Sequence, residues 1–212
     1  SLEAVSVSTE LAYAAVAGWA CIVLNLWSEL PAFLREANFL YPALALLSLP
    51  FLAITAERLI RDDPVVLRLT RTAAIATIIW VPFALVPVLR DGLIAVTVTL
   101  AFHLITALGH HPQLVAWDVI LENGFANQFI LGCTGIMAIA MMLGLVASEK
   151  HLTSRQAIQA FLIIVPPIFH LNLLRVSLLF IEVSDKWFDS LTDPTGTGDG
   201  NFLWAHNVSA EI

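Results

Sequence analysis

Charged residues are scarce in this chain, and their scarcity excludes a soluble fold. Only 13% of the 212 residues are charged, 58% are hydrophobic, and the mean hydropathy is +0.84. A soluble domain carries about twice that share of charged residues. Basic residues are the scarcer sign, and the net charge of −7 excludes a nucleic-acid partner or a polybasic lipid-binding patch. We therefore predict an all-α polytopic membrane protein.

Other absences narrow the class of membrane protein. The two cysteines, Cys21 and Cys133, are too few for a disulfide framework. No Gly-x-Ser-x-Gly motif occurs, which disfavours a rhomboid-type serine protease. The sequence shows no internal repeat and no matched pair of broken helices, which disfavours a transporter built from inverted repeats.

Hydrophobic segments recur along the whole chain. They lie at 11–28, 39–56, 72–89, 93–108, 127–147 and 157–181, with a last one beginning at 202. The last stretch ends after 11 residues, too few to cross a bilayer, so we expect this helix to be truncated. The first ten residues lack the basic region of a signal peptide. We predict a single transmembrane domain over 1–212.

Basic residues orient the linkers, because cytoplasmic loops of membrane proteins are enriched in Lys and Arg. The linkers 57–71 and 149–155 are basic and are predicted to be cytoplasmic. The acidic linkers are predicted to lie outside, at 29–38, 90–92, 109–126 and 182–201. If 57–71 and 149–155 are both cytoplasmic, then 72–89 leads out and 127–147 leads back in, so the segment 93–108 between them cannot cross. We therefore predict a re-entrant or interfacial helix at 93–108 and a bundle of about six transmembrane helices.

The outer loop 109–128 contains a hairpin signal and two adjacent histidines. The run VAWDVILENG alternates and ends in Asn-Gly, which favours a tight hairpin turn. His110 and His111 precede a proline, with no cysteine or carboxylate at ligand spacing, so we expect solvated residues and no metal site. No cofactor is predicted. Small residues repeat at multiples of four and predict a helix-packing face, at Gly132, Ala140, Gly144 and Ser148.

Arg175 is a permanent cation inside the otherwise uncharged stretch 160–181. A charge in a membrane segment is costly, so it usually faces the bundle interior and marks a working site. The alternative is that Arg175 snorkels outward, toward Glu182.

Counting from the outer helix ends puts Cys133 and Arg175 about 9 Å deep. His206 lies at a similar level in the last segment, so the three side chains are predicted to meet.

These three residue types suit acyl transfer. A cysteine thiolate is a strong nucleophile, and a neighbouring cation favours the thiolate form. A histidine such as His206 can act as general base and acid, and Arg175 can donate two hydrogen bonds to a developing oxyanion. Asn172 shares a helix face with Arg175 and could hold its guanidinium or the substrate backbone. The alternatives are an interfacial His206 without a role and an Asn172 that only packs between helices.

The run GCTGIMAIA around Cys133, the Asn-Leu-Leu-Arg that ends at Arg175, and His206 at the head of the last helix together resemble the exosortase/archaeosortase family, its archaeal branch most of all. The resemblance covers about residues 109–212. It implies a membrane-embedded cysteine transpeptidase or protease that cleaves a C-terminal sorting signal on the extracytoplasmic side. It also implies Cys133 as nucleophile, Arg175 and His206 as further catalytic residues, and support from Asn172, Thr134 and Gly132.

Members of the archaeal branch can carry Arg at the third catalytic position, where this chain has His206 as exosortases do. The subfamily and the signal that is recognised therefore stay open. The implied partners are the sorting signal of a secreted or surface protein and a membrane lipid as candidate acceptor, at the cell membrane. Two interpretations from other classes also stay open: an anion-binding transporter or channel that uses Arg175, and a non-catalytic membrane scaffold.

Overall fold

The computed structural model describes residues 2–35, 40–149 and 153–188, together with Asn201 and Ala205. In this part of the chain the helices are α1 (Leu2–Ser28), α2 (Leu30–Arg35), α3 (Leu40–Ile60), α4 (Pro64–Leu85), α5 (Pro87–Ala107), α6 (Ile136–Ala147) and α7 (Ser154–Ser184). Among these described helices, five are long and apolar enough to cross a membrane. The prediction of an all-α polytopic membrane protein is confirmed.

The chain divides into two compact units, residues 1–71 and 72–212. In the first unit, α1 packs along α3, where Ala45 is fully buried. The indole nitrogen of Trp27 donates to the Ala45 carbonyl oxygen at 3.0 Å. Such bonds matter in an apolar setting, because a buried indole N–H without an acceptor is costly. A single domain over the whole chain stays a prediction.

The first turn of α4 is held by a carboxylate cap. Asp63 precedes Pro64, and its Oδ1 accepts a hydrogen bond from the Val65 backbone N–H at 2.9 Å, which satisfies a donor that the helix leaves unpaired. The Arg58 guanidinium donates to Asp63 Oδ2 at 2.9 Å. That bond, with the backbone N–H bonds, holds the pKa of the Asp63 carboxyl below its usual value. The helix thus begins inside the segment 57–71 that was predicted to be a linker.

The boundary between α4 and α5 corrects the prediction for 93–108. The two helices are separated by Val86 alone, and Pro87 occupies the first turn of α5, a position that suits proline. Arg90 and Asp91 look like a turn in the sequence, but they lie within α5 and pair at 2.8 Å. The helix has 21 uninterrupted residues and is long enough to cross, so the predicted bounds of this segment are corrected to Pro87–Ala107. That it is re-entrant or interfacial stays a prediction.

The predicted span 127–147 is also different in the structure. Its first part belongs to a β-strand, and a single 3-10 turn, Leu131–Thr134, follows. Gly135 then adopts a left-handed conformation with φ of 73°, which separates this turn from α6. The remaining helix has 12 residues and is about 18 Å long, less than the roughly 30 Å hydrocarbon core.

A three-stranded antiparallel sheet connects α5 to this turn. Its strands β1 (Gln113–Ala116), β2 (Val119–Glu122) and β3 (Phe125–Gln128) pair in chain order. Asn123 and Gly124 have φ values of 52° and 83°, as a tight turn between twisted strands requires. The predicted hairpin is therefore confirmed as β2 and β3, and β1 extends it.

The two histidines before the sheet differ from each other. His111 is exposed as predicted, whereas the His110 side chain is only 19% exposed, so the prediction of a solvated residue is wrong for His110. Its Nδ1 lies 3.6 Å from Glu122 Oε2 and 3.8 Å from Asp185 Oδ1. These contacts put the C-terminal ends of α5 and α7 on one face of the second unit. That this face is extracytoplasmic stays a prediction.

Most of the small-residue face predicted on 127–147 is buried, and at Gly144 it lies against α4. Ala140, Gly144 and Ser148 are buried, as predicted, but Gly132 is exposed and lies outside α6. At Gly144 a methyl group would lie 2.6 Å from the Thr72 backbone carbonyl oxygen. The two helices therefore meet backbone to backbone.

We expect Gly144→Ala to destabilise the protein by about 1–3 kcal/mol, because the added carbon meets a backbone atom that cannot rotate away. The measurement is the thermal unfolding midpoint of the purified protein in detergent. Gly92→Ala is the matched control, since Gly92 lies in α5 with nothing within 4 Å of the added carbon. An equal or higher midpoint for Gly144→Ala than for the control would contradict the close packing.

Candidate active site

Cys133 lies in the 3-10 turn that leads from β3 toward α6. Its backbone N–H donates to the Ile130 carbonyl oxygen at 2.9 Å, and the thiol is free and half-buried. The Thr134 side chain is buried, and its hydroxyl donates to the Leu131 carbonyl oxygen at 2.7 Å. Thr134 therefore supports the turn through this bond. The prediction that Cys133 lies about 9 Å inside a helix is wrong, because the helix starts only after Gly135.

Asn172 connects this turn to Arg175. Its Nδ2 donates to the Cys133 carbonyl oxygen at 2.7 Å, and its Oδ1 accepts from the Arg175 guanidinium at 3.4 Å. An amide carries one donor end and one acceptor end, so both contacts use the side chain in a single orientation. Because Asn172 binds the backbone of Cys133, this hydrogen bond holds the turn in place and does not involve the thiol.

Gly135 makes the close approach of α7 possible. A methyl group at this position would lie 3.0 Å from both Cβ and Cγ of Asn172. The left-handed backbone of Gly135 is also a conformation that other residues seldom adopt. Two independent features therefore require glycine next to the Cys133–Asn172 contact.

A buried apolar core lies behind the turn. Cys133 packs against it, and fully buried Phe129 and Ile120 join it from the sheet segment. The helices contribute Ile94, Val98, Ala101 and Ile105 from α5 and Leu173, Val176, Phe180 and Ile181 from α7. Leu173 and Val176 follow Asn172 and Arg175 directly in the chain. The packing of Leu173 and Val176 in the core therefore also fixes where along α7 the two polar side chains lie. Arg175 itself is half-buried, nine residues before the end of α7 and about 13 Å below it.

The structure brings together Cys133, Thr134, Asn172 and Arg175, but not every residue predicted for the site. Gly132 is exposed, and an added methyl group there would be nearest the Ile130 side chain. His206 lies outside the described residues. Its chain neighbour Ala205 is fully buried, and Asn201 donates through Nδ2 to the Val183 carbonyl oxygen at 2.8 Å.

Sequence reasoning missed Gly135 as a site residue. The signal was present, since this glycine follows Cys-Thr directly, but glycine alone does not reveal a positive φ. Within the described residues there is no group of three or more His, Cys, Asp or Glu side chains that could hold a metal ion.

Comparison with known proteins points in the same direction as the motifs. No family model matches the chain, and no solved structure matches it. It is 26% identical over 201 residues to a protein named archaeosortase A from Haloferax volcanii. The aligned region covers 84% of this chain and 65% of that relative, less than two thirds of its length. The predicted resemblance to the exosortase/archaeosortase family is thereby confirmed.

Proposed function

We propose that the chain is a membrane-embedded cysteine transpeptidase that cleaves a C-terminal sorting signal of exported surface proteins on the extracytoplasmic side. One observation carries the proposal: Asn172 holds the backbone of Cys133 and the guanidinium of Arg175 at the same time. A nucleophile and a fixed cation are thus linked through one side chain. The similarity to archaeosortase A supports this class of activity.

The reaction begins with transfer of the Cys133 thiol proton to His206, and the thiolate then attacks the carbonyl carbon of the scissile peptide bond. Arg175 donates hydrogen bonds to the oxyanion that forms, and its charge is worth more there than in water because the site is half-buried. The carbon–nitrogen bond then breaks, the leaving amine takes a proton from His206, and a thioester to Cys133 remains. No cofactor is needed for this step.

The second half-reaction transfers the acyl group from Cys133 to an acceptor. His206 removes a proton from the acceptor, whose nucleophilic atom attacks the thioester carbon, and the thiolate leaves. We propose that the acceptor is a membrane lipid, so that the processed protein exchanges its terminal helix for a lipid anchor. Water would give plain hydrolysis by the same steps.

Asn172 acts as a positioning residue in this scheme. By binding the Cys133 carbonyl oxygen at 2.7 Å, it sets the orientation of the turn that presents the nucleophile. By accepting from Arg175, it limits the rotamers open to a long side chain, which reduces the entropy lost when the oxyanion binds. Both effects act before substrate arrives.

The proposal predicts a covalent thioester on Cys133. We expect an acid-quenched reaction with a surface protein that ends in a hydrophobic helix and a basic tail to contain an adduct, located by tandem mass spectrometry and released by hydroxylamine. Cys21→Ser is the matched control and should keep the adduct, because Cys21 is exposed on α1 in the other unit. Cleavage without any adduct on Cys133 would contradict the mechanism. An anion transporter or a scaffold would give neither cleavage nor adduct.

A further inference from the structure

His110 joins three elements at the end of the second unit. It follows α5, and its Nδ1 lies 3.6 Å from Glu122 Oε2 on β2 and 3.8 Å from Asp185 Oδ1 at the end of α7. The side chains of His110 and Glu122 are 19% and 9% exposed. A single imidazole therefore faces two carboxylates that come from different parts of the fold.

The Glu122 carboxylate is satisfied at only one of its oxygens. Oε1 accepts from the His111 backbone N–H at 2.7 Å. Oε2 is buried and has no hydrogen-bond partner among the described residues. A buried carboxylate oxygen without compensation is costly, and a cation nearby removes that cost. The group in place to supply the cation is His110.

Protonation decides whether His110 brings a positive charge to this site. An imidazolium carries N–H on both ring nitrogens, so Nδ1 presents a proton and a positive charge to Glu122 and Asp185 together. Neutral histidine brings no charge: its Nδ1–H tautomer can still donate to a carboxylate, and the other tautomer turns a lone pair toward both. Histidine is the side chain whose charge ordinarily changes between about pH 5 and 8.

The elements that meet at His110 also carry the candidate active site. The sheet continues through β3 into the turn with Cys133, and α7 carries Asn172 and Arg175. An uncharged contact also joins the sheet to the end of α7, because Asn123 Nδ2 donates to Ser184 Oγ at 3.2 Å. The end of α7 therefore contacts the sheet region both through the neutral Asn123 side chain and through the carboxylates that face His110.

We propose that His110 is a positioning residue: when protonated, it binds the carboxylates of Glu122 and Asp185 and holds the end of α7 against the sheet that leads to Cys133. Its effect on catalysis rests on the proposed function, but its effect on the fold does not.

Two further charged groups lie on the same part of α7. Glu182, one turn before Asp185, is buried with Oε2 unpartnered among the described residues, and Lys186 is exposed.

The first test needs no substrate. The thermal unfolding midpoint of the full chain in detergent is compared at about pH 5.5 and about pH 8, across the range in which histidine titrates. We expect His110→Gln to lower the midpoint by roughly 2–4 °C at the acidic pH and by much less at the basic pH. His111→Gln is the control, because His111 contacts Glu122 through its backbone only, and it should follow the wild type.

The second test uses the rate of signal cleavage. The ratio of the His110→Gln rate to the wild-type rate cancels the pH dependence that the two proteins share. We expect this ratio to be close to one at about pH 8 and about fivefold or more lower at about pH 5.5. Asp185→Asn should reduce the ratio in the same direction, since it removes one of the two carboxylates that face His110.

The outcomes separate the two proposals. An equal loss of midpoint at both pH values for His110→Gln would overturn the role of protonation, whatever the enzyme does. A pH-dependent loss with no cleavage by the wild type would support the His110 contact and count against the proposed function. If His110→Gln fails to fold, Asp185→Asn decides, because Asp185 is 34% exposed and its loss leaves no large cavity.

Discussion

Cys133→Ala should abolish processing of a co-expressed surface protein while the variant still inserts and folds. In the proposed mechanism the Cys133 thiol forms the acyl-enzyme, so the rate should fall by at least about a thousandfold. The substitution removes one sulfur from a half-buried side chain, and we expect a stability cost of about 1 kcal/mol. The measurement is the fraction of surface protein that loses its C-terminal helix, by mass spectrometry.

Cys133→Ser tests whether the site needs a thiol or only a side chain of that size. Serine keeps the size of the side chain, but its hydroxyl ionises far less readily than a thiol, so this variant should also fail or nearly fail. Cys21→Ala should process normally. Normal processing by Cys133→Ala would be decisive against a cysteine mechanism, and a folded but inactive Cys133→Ala with an active Cys133→Ser would point to a different nucleophile chemistry.

Arg175→Lys is expected to reduce the cleavage rate by about a hundredfold or more, because removing an oxyanion donor typically has an effect of that size. Lysine keeps the positive charge but loses the planar group that can donate to Asn172 and to the oxyanion together. The measurement is the initial rate of signal cleavage at saturating substrate, so that a loss in transition-state stabilisation appears in kcat.

Arg90→Lys is the matched control for this substitution. Arg90 pairs with Asp91 at a partly exposed position in α5, where a single ion pair contributes little. Its rate and unfolding midpoint should stay close to wild type. A fully active Arg175→Lys would show that charge alone suffices and that the planar donor geometry has no part in catalysis.

The sequence was sufficient to predict the elements whose signal is local. The class of protein follows from composition, and the hairpin follows from Asn123-Gly124, whose backbone requirement is specific to those residue types. The pairing of Asn172 with Arg175 follows from helical spacing, because residues three apart share a face. Each of these inferences needs only the chain within a few residues.

The predictions that failed depended on contacts between distant segments or on backbone angles. Hydropathy does not distinguish the 3-10 turn around Cys133 from a helix, because hydropathy depends on residue type and the two differ in the backbone angle of Gly135. The Arg90–Asp91 pair looked like a linker because charged residues were taken to mark the end of a helix, whereas both lie within α5. His110 looked solvated because its two carboxylates, Glu122 and Asp185, lie 12 and 75 positions further along the chain. The catalytic roles of Cys133, Arg175 and His206 stay predictions.

Under the proposed function, the short helix α6 has a consequence for how a lipid acceptor would be supplied. Its exposed side carries large apolar side chains, among them Met137 and Met141, yet its length of about 18 Å leaves the roughly 30 Å hydrocarbon layer unmatched. Local thinning of the bilayer is one response to a short hydrophobic helix, and under the proposed function it would bring headgroups toward the turn with Cys133. An acceptor lipid would then arrive by diffusion within the membrane plane. The rate of anchoring would follow the mole fraction of that lipid in the leaflet and not any concentration in water.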